Sequence, residues 1–171
     1  MKHKLPQKFK RFLLFTFNFS LLTGVSACAP VISQEILKTV DQTITFEQVL
    51  KSPDTYKGKT VLLGGTIVKA TNLSEGTLIE VIQQPLNTRY MPINPEASKG
   101  RFIILFKEFK DPAIYSAGRL ITVVGEVIGS QTRPLGEAHY QYPLISPTEY
   151  YLWKPSEGPS IHIGIGVGTT F

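Results

Sequence analysis

TVLLGGTIVKAT, residues 60–71, is an aliphatic run with two adjacent glycines at its centre. Val, Ile and Thr favour a β-strand, because branched side chains pack well on a pleated surface. Glycine inside a strand costs stability, since it loses more backbone entropy and has no side chain to pack. Gly64 and Gly65 therefore indicate a backbone requirement: a β-bulge, a positive φ angle or the close approach of another strand. We interpret them as a sharp corner in a small, curved sheet.

Strands that flank this stretch are predicted along most of the remaining chain. One of them contains Gly125, which predicts another sharp corner like the one at Gly64 and Gly65. Between the strands, a long loop is expected at 85–100 and a shorter loop at 132–136. Alternating or continuous apolar residues between turn residues define these strands. The four predictions are 77–84, 101–106, 119–129 and a fifth strand at 138–146 and 149–153 that is broken at Pro147.

Two short helices are predicted beside the strands. Thr45 and Gln48 have the spacing of a capping box, and residues 111–115 suit a one-turn helix with Pro112 at its first position. Five curved strands with glycine corners and one or two short helices are typical of a small OB-like β-barrel. The chain is thus predicted to be mainly β, with the barrel domain at 45–155; a split sandwich is the main alternative.

The first 27 residues have the three parts of a bacterial signal peptide. Five basic residues and no acid precede an apolar run at 12–23, and small residues follow at Gly24, Ser26 and Ala27. The apolar run is too short and too interrupted for a spanning helix, which needs about 20 residues. We predict that residues 1–27 are removed during export.

Cys28, the only cysteine, directly follows the predicted signal peptide. The sequence Val25-Ser26-Ala27-Cys28 resembles the lipobox of bacterial lipoproteins, in which the cysteine is acylated and becomes the first residue. An ordinary signal peptidase would cut at the same bond and leave a free thiol, which is a liability in an oxidising compartment. We therefore predict lipidation of Cys28. Because Ala29 rather than Asp follows it, the outer membrane of a diderm bacterium is the expected location.

Residues 28–44 are predicted to be the lipidated N-terminus and a tether. The pattern leaves open a short amphipathic helix on the domain or membrane surface and a partly ordered linker. Fully extended, such a linker reaches roughly 50 Å at about 3.3 Å per residue. Its apolar residues recur at helical spacing: Ile32, Ile36, Leu37, Val40 and Ile44.

The net charge of +5 comes from the signal peptide. Five of the 18 Lys and Arg residues lie in residues 1–27 and none of the 13 acidic residues do, so 13 basic residues balance 13 acidic ones after cleavage. No basic run remains that could neutralise a row of phosphates, which argues against nucleic acid as a partner. A single cysteine also excludes an internal disulfide.

Residues with catalytic potential are few in the predicted mature chain. Glu137 and His139 are two apart, which predicts one shared strand face, and the other histidine is His162. Two ligands fall short of the three or four that a zinc site uses, and no Gly-x-Ser-x-Gly elbow occurs. We predict no enzyme, cofactor or metal site; the alternative is a small envelope hydrolase or a ligand-binding OB-type domain that uses the Glu137 and His139 face.

Two further predictions concern Arg101, Arg119 and the C-terminus. Each arginine follows a glycine at a predicted strand start and is expected to be a rim residue paired with an acid. Residues 156–171 form a Gly-rich tail in which aliphatic residues at 161, 163, 165 and 167 alternate with His or Gly. We predict a disordered segment or an added edge strand, with docking to a partner as the lesser alternative.

Several motifs, in order along the chain, resemble the Slp-type, starvation-inducible outer-membrane lipoproteins. They are FEQVLKSPDTYKGKTVLLGG (46–65), GTLIEVIQQPL (76–86), GRF (100–102), GRLITVVGEVIG (118–129), GEAHYQYPLI (136–145) and LW (152–153). The resemblance implies a lipoprotein tied to stationary phase and envelope stress, held to the outer membrane through its N-terminal lipid.

That resemblance assigns a functional role to Cys28 only. The absence of a complete catalytic or metal constellation predicts a non-enzymatic binding or structural module of the envelope, with an envelope protein or the cell wall as its expected partner. The other shared positions are expected to be structural, with Tyr140, Tyr142 and Trp153 packing in one aromatic cluster.

Overall fold

A computed structural model describes residues 30–155, and its main feature is a closed sheet of five strands. The strands close in the order β1-β2-β3-β5-β4, with β3 and β5 parallel and all other neighbours antiparallel. The mainly β class and the five-stranded barrel are confirmed, and closure excludes the split sandwich; the likeness to the OB type in particular stays a prediction. The strands are Thr60–Leu73 (β1), Gly76–Gln83 (β2), Arg101–Phe106 (β3), Leu120–Leu135 (β4) and Ala138–Leu152 (β5).

Helices are short in this part of the chain. The α-helices are Gln34–Leu37 (α1) and Phe46–Lys51 (α2), and 3-10 helices occur at Pro53–Tyr56 and Pro95–Ala97. The capping box of α2 is confirmed, because the side chains of Thr45 and Gln48 each accept the other's backbone N–H. None of the helices in residues 30–155 has the length and apolar character needed to cross a bilayer.

The helix predicted at residues 111–115 is wrong. The segment is a turn in which the amides of Ile114 and Tyr115 both donate to the carbonyl of Asp111, at 3.0 Å and 2.9 Å. Pro112 suits a turn as well as a first helical position, and too few residues follow it for a helix to continue.

The barrel core is closed differently at its two ends. At the α2 end, where β1 and β3 begin, α2 buries Phe46 and Val49, and the Phe46 ring meets Phe102 edge-on at 5.9 Å. At the loop end, the β1–β2 turn lies beside the segment 107–119 that joins β3 to β4, and Tyr115 of that segment enters the core. Between the ends, inward-facing side chains include Val61, Leu63, Ile67, Ile79, Val81, Ile104, Ile121, Val123 and Ile145.

Gly65 lies where β1 and β2 approach too closely for a side chain. A Cβ atom at Gly65 would overlap the carbonyl oxygen of Ile82, and one at Gly125 would overlap the β5 backbone. Neither glycine has a positive φ angle, and the register shift in β1 comes later, between Ile67 and Lys69. Of the three requirements left open by the sequence, close approach is the one that applies at Gly65.

The β4–β5 hairpin is longer than predicted. Residues 132–136 were expected to be a loop, but β4 continues to Leu135, and Gly136 with φ 62° begins a two-residue turn. β5 passes through Pro147 with a shift in register instead of a break. A bulge tolerates proline because the ladder is already interrupted there.

The N-terminal segment contacts the barrel. Ile32 is fully buried, and the amide and hydroxyl of Ser33 donate to the carboxylate of Glu149 on β5, at 2.9 Å and 2.6 Å. The amide of Asp41 donates to the carbonyl of Thr60 at 3.0 Å. Residues 28–44 are therefore not a free linker that reaches roughly 50 Å, and that prediction is wrong, since the chain is attached to the barrel from Ser33 onward. The signal peptide, Cys28 and the tail at 156–171 lie outside the described residues, and these domain boundaries stay predictions.

Candidate functional site

A groove of about 380 Å³ crosses the outer face of β2 and β3 at the loop end. Leu78 and Leu105 are directly opposite each other on these strands, and they form its floor together with Leu144 of β5. Leu73, at the end of β1, forms one wall. The polar rim consists of Glu75, Lys107, Ser130 and Gln131.

The floor of the groove is a second, smaller apolar cluster outside the barrel. Strand alternation points Ile79 and Val81 into the core, so Leu78 faces outward. Outward-facing apolar residues on this face are nevertheless buried, because Tyr142 of the β4–β5 hairpin packs on Leu78 and Ile103. The hairpin therefore converts an outer sheet face into a partly enclosed surface.

A polar triad holds the hairpin over this face. The Glu80 carboxylate accepts from the Arg101 guanidinium at 2.6 Å and from the Tyr142 hydroxyl at 3.2 Å. Burial and the neighbouring Glu80 charge raise the pKa of Tyr142, and the hydrogen bond to Glu80 raises the pKa of Arg101. The backbone amide of Arg101 also donates to the Tyr140 hydroxyl at 2.9 Å. These hydrogen bonds join β2, β3 and β5, so the triad is a fixed support for the hairpin.

Comparison with known proteins places the chain in a family. Residues 25–163, most of the chain, match the family described as outer membrane lipoprotein Slp. The chain belongs to the Slp family of outer membrane lipoproteins. The predicted resemblance and the outer-membrane location are thereby confirmed, whereas lipidation of Cys28 stays a prediction.

Three relatives illustrate the range of similarity. An uncharacterized protein of Haemophilus influenzae is 38% identical over 99 residues, covering 57% of this chain and 54% of that protein. The Escherichia coli K12 lipoprotein YeaY is 30% identical over 106 residues, covering 62% and 54%. The outer membrane protein Slp of the same strain is 24% identical over 113 residues, covering 66% and 60%. The chain thus spans just over half the length of the first two relatives, and no solved structure matches it.

The arginine prediction holds for one residue of this Slp-family chain and fails for the other. Arg101 pairs with Glu80, as expected for a rim arginine beside an acid. Arg119 instead donates to the backbone carbonyls of Ile114 and Trp153. A guanidinium has five donors, so it stabilises two chain segments without needing a carboxylate.

Glu137 and His139 lie apart from the groove, at the exposed tip of the β4–β5 hairpin. Glu137 is in the two-residue turn, so the expectation of a shared strand face does not apply to it. Within residues 30–155, no three side chains from His, Cys, Asp and Glu come together as a metal site would require.

The predicted single aromatic cluster is wrong in this Slp barrel. Tyr140 and Tyr142 pair at 4.7 Å between ring centroids, but Trp153 pairs with Tyr151 at 4.8 Å and donates its indole N–H to Thr122. The two pairs lie near opposite ends of β5, because ten residues of extended chain lie between Tyr142 and Trp153.

A polar and aromatic cluster at the loop end was not predicted. The Lys110 ammonium donates to the Tyr150 hydroxyl at 3.0 Å and lies 4.7 Å from the centre of the Phe106 ring. Tyr115 donates to Tyr150 at 3.2 Å. The hydrogen bond from Lys110 lowers the pKa of Tyr150, and burial raises the pKa of Tyr115. Because Phe106 and Tyr115 belong to the core, the cluster closes the barrel.

Proposed function

We propose that this Slp-family protein is a lipid-anchored, non-enzymatic binding module of the outer membrane that holds an aliphatic ligand in the leucine-lined groove. The single observation that supports the proposal is the groove over β2 and β3. Its volume, about 380 Å³, is in the range of roughly 300–1,000 Å³ of small-molecule sites. In five-stranded OB barrels this face, flanked by the β1–β2 and β4–β5 loops, is also the ligand-binding face, which supports the proposal by analogy.

The chemistry of the groove favours an aliphatic chain over a nucleotide or sugar. Its floor consists of leucines, and no aromatic ring for base stacking is among its lining residues. Lys107 at the rim is offset by Glu75, so the groove carries no strong charge of either sign. A lipid acyl chain meets these requirements.

The ligand is tested with an environment-sensitive fluorescent fatty acid and two matched variants. Leu105→Gln makes the groove floor polar and is expected to weaken binding at least several-fold. Ile82→Gln changes a half-buried aliphatic residue on β2 outside the groove and should bind as the parent does. Equal binding of the fatty acid by both variants would contradict the groove as the binding site.

The lipid anchor is supported by the family and by the sequence at Cys28. Two or more acyl chains, at about 0.8 kcal/mol per buried CH₂, hold a protein firmly to a bilayer, whereas one chain does not. Intact-mass measurement of the membrane fraction should show an acylated N-terminus at Cys28. A Cys28→Ser chain that is still processed and still sediments with the outer membrane would contradict the anchor.

The non-enzymatic role, linked to stationary phase and envelope stress, is proposed from the family resemblance and the position of Glu137 and His139. Neither the family description nor the names of the relatives assigns an activity. Both side chains are exposed at a hairpin tip, where no cavity would exclude water from a reaction. Alanine at both positions should leave the fold and any stress phenotype unchanged. Loss of turnover on an envelope substrate, with the fold intact, would favour the hydrolase instead.

A further inference from the structure

Exposed apolar side chains are concentrated at the loop end of the barrel. Among residues 30–155, four large apolar residues are well exposed: Leu73 at 50%, Phe109 at 70%, Ile114 at 52% and Ile93 at 40%. Leu73 is the last residue of β1, next to the β1–β2 turn, and Phe109 and Ile114 are in the segment 107–119. We call Leu73, Phe109 and Ile114 the apolar triplet.

Hydrogen bonds join the two loops that carry the triplet. The amide of Lys110 donates to the Thr77 hydroxyl at 2.9 Å, and that hydroxyl donates to the side-chain oxygen of Asn72 at 2.6 Å. Phe109 and Leu73 are the chain neighbours of Lys110 and Asn72. Leu73 and Phe109 are therefore at the same end of the barrel, and Ile114 is five residues further along the segment that carries Phe109.

Contacts with the barrel hold the loop that carries Phe109 and Ile114 in place. Tyr115 is buried in the core, and the Arg119 guanidinium donates to the carbonyl of Ile114 at 2.8 Å. The amide of Gly118 donates to the carbonyl of Ile67 at 2.9 Å. A loop held at these points keeps its apolar side chains outside, so their exposure is built into the fold.

The attachment at Ser33 places the barrel close to any lipid on Cys28. Five residue steps separate Ser33 from Cys28, which span at most about 18 Å. A folded unit of this size has a radius of gyration of about 14 Å. A lipid on Cys28 thus keeps the barrel within roughly its own radius of the leaflet, and one of its surfaces must face the lipid.

We propose that the apolar triplet is a membrane-docking face that inserts into the phospholipid leaflet holding the acyl chains of Cys28. The inference rests on the proposed lipid anchor. Nearby charges are mixed, with Lys107 and Lys110 close to Glu108 and Asp111, so docking is driven by apolar burial and is insensitive to salt. Leu73 also lines the groove, so the groove lies beside the leaflet from which an acyl chain would enter.

The face is tested with the processed lipoprotein in vesicles of phosphatidylethanolamine and phosphatidylglycerol. Acylated Cys28 has no free thiol, so Phe109→Cys and Ile114→Cys each introduce one unique site for a nitroxide label. Glu47→Cys, exposed on α2 at the opposite end, is the control. Labels at 109 and 114 should collide with dissolved oxygen and be shielded several-fold from a water-soluble nickel chelate, in low and high salt alike. The label at 47 should be open to the chelate.

Three outcomes overturn the docking face. Equal chelate access at 109, 114 and 47 shows that the triplet faces water. If shielding disappears when the chain is ended at Pro155, residues 156–171 rather than lipid cover the apolar triplet. Shielding that appears only when other envelope proteins are added assigns it to a protein partner.

Intact mass of the same samples separates this inference from the anchor. An acylated N-terminus with an exposed triplet contradicts the docking face alone. An unacylated N-terminus, which would also take up a second label at Cys28, contradicts the proposed anchor.

Discussion

The two ends of this barrel are closed by opposite arrangements of apolar residues. At the α2 end, a helix turns Phe46 and Val49 inward, and its polar residues face water. At the loop end, Lys110 and Tyr115 of the segment 107–119 close the core together with Tyr150 of β5, while Phe109 and Ile114 are exposed. A closing segment that needs apolar contact only for stability buries its large side chains. One that leaves them exposed on a fixed loop indicates a surface used for contact.

Gly65→Val should cause the largest loss of stability, because it disrupts the pairing of β1 and β2 in the barrel sheet that lies between the two ends. Any Cβ at Gly65 overlaps the carbonyl of Ile82, so β1 and β2 must separate. We expect a loss in the free energy of unfolding well above the ~1 kcal/mol of an average substitution, despite the strand propensity of valine.

Thermal melts of Gly65→Val and Gly118→Ala measure this effect. Gly118 has a positive φ of 87° but open space around its Cβ position, so it reports backbone strain without overlap. If Gly65→Val is no less stable than the parent, the two strands do not approach closely, and the closed barrel loses its main local support.

Phe46→Ala and Phe109→Ala compare the two ends directly. Phe46 is 6% exposed, and its loss should lower the free energy of unfolding by about 3–5 kcal/mol. Phe109 is 70% exposed, and its loss should change that energy by less than about 0.5 kcal/mol. Denaturant unfolding away from membranes measures both. Similar losses would mean that Phe109 also stabilises the fold.

High pH should weaken the loop end. Burial raises the pKa of Tyr115 above its usual 10.0, so the unfolded chain releases this proton first as the pH rises. The contribution of Tyr115 is complete below pH 10 and is lost as the pH rises towards its folded pKa. Tyr115→Phe should flatten the fall in unfolding free energy above pH 10, as measured by denaturant titration. Tyr150, whose pKa the hydrogen bond from Lys110 lowers, acts in the opposite direction.

Glu47→Gln at the α2 end should have the smallest effect. Its carboxylate is 3.9 Å from the Lys99 ammonium, and both side chains are 56% exposed. Exposed pairs of this kind contribute about 0–1 kcal/mol and are screened by salt. The change in melting temperature should be close to the error of the measurement. A larger loss would mean that α2 depends on this pair as well as on its buried face.

The sequence predicted those elements whose signals are local. The aliphatic run at 101–106 gives β3 its bounds, and the capping box at Thr45 starts α2. The hairpin extension was missed because Pro134 and Pro147 are unfavourable in a central strand. Pro134 lies near the exposed hairpin tip and Pro147 at a shift in register, where the missing donor matters little.

The groove and the loop-end cluster were outside the reach of the sequence. Strand order and the curvature of the β4–β5 hairpin bring together residues that are distant in the sequence, and no local spacing encodes these contacts. Examples are Leu73 with Leu144 in the groove and Lys110 with Tyr150 in the loop-end cluster. Glu137 and His139 were singled out because their residue types suit catalysis, although their position at the tip does not.

If Cys28 carries the proposed lipid, the two hydrogen bonds between Ser33 and Glu149 also affect the local concentration of the barrel at the membrane. With these bonds formed, a lipid on Cys28 confines the barrel to a layer about 18 Å deep. If these bonds, the burial of Ile32 and the bond from Asp41 to Thr60 were all lost, about 16 residues of free chain up to residue 44 would extend that layer to roughly 50 Å. The local concentration of every loop-end residue at the leaflet would then fall about threefold. If Cys28 carries the proposed lipid, the contacts of Ile32, Ser33 and Asp41 with the barrel thus set how often the loop end meets the surrounding lipids.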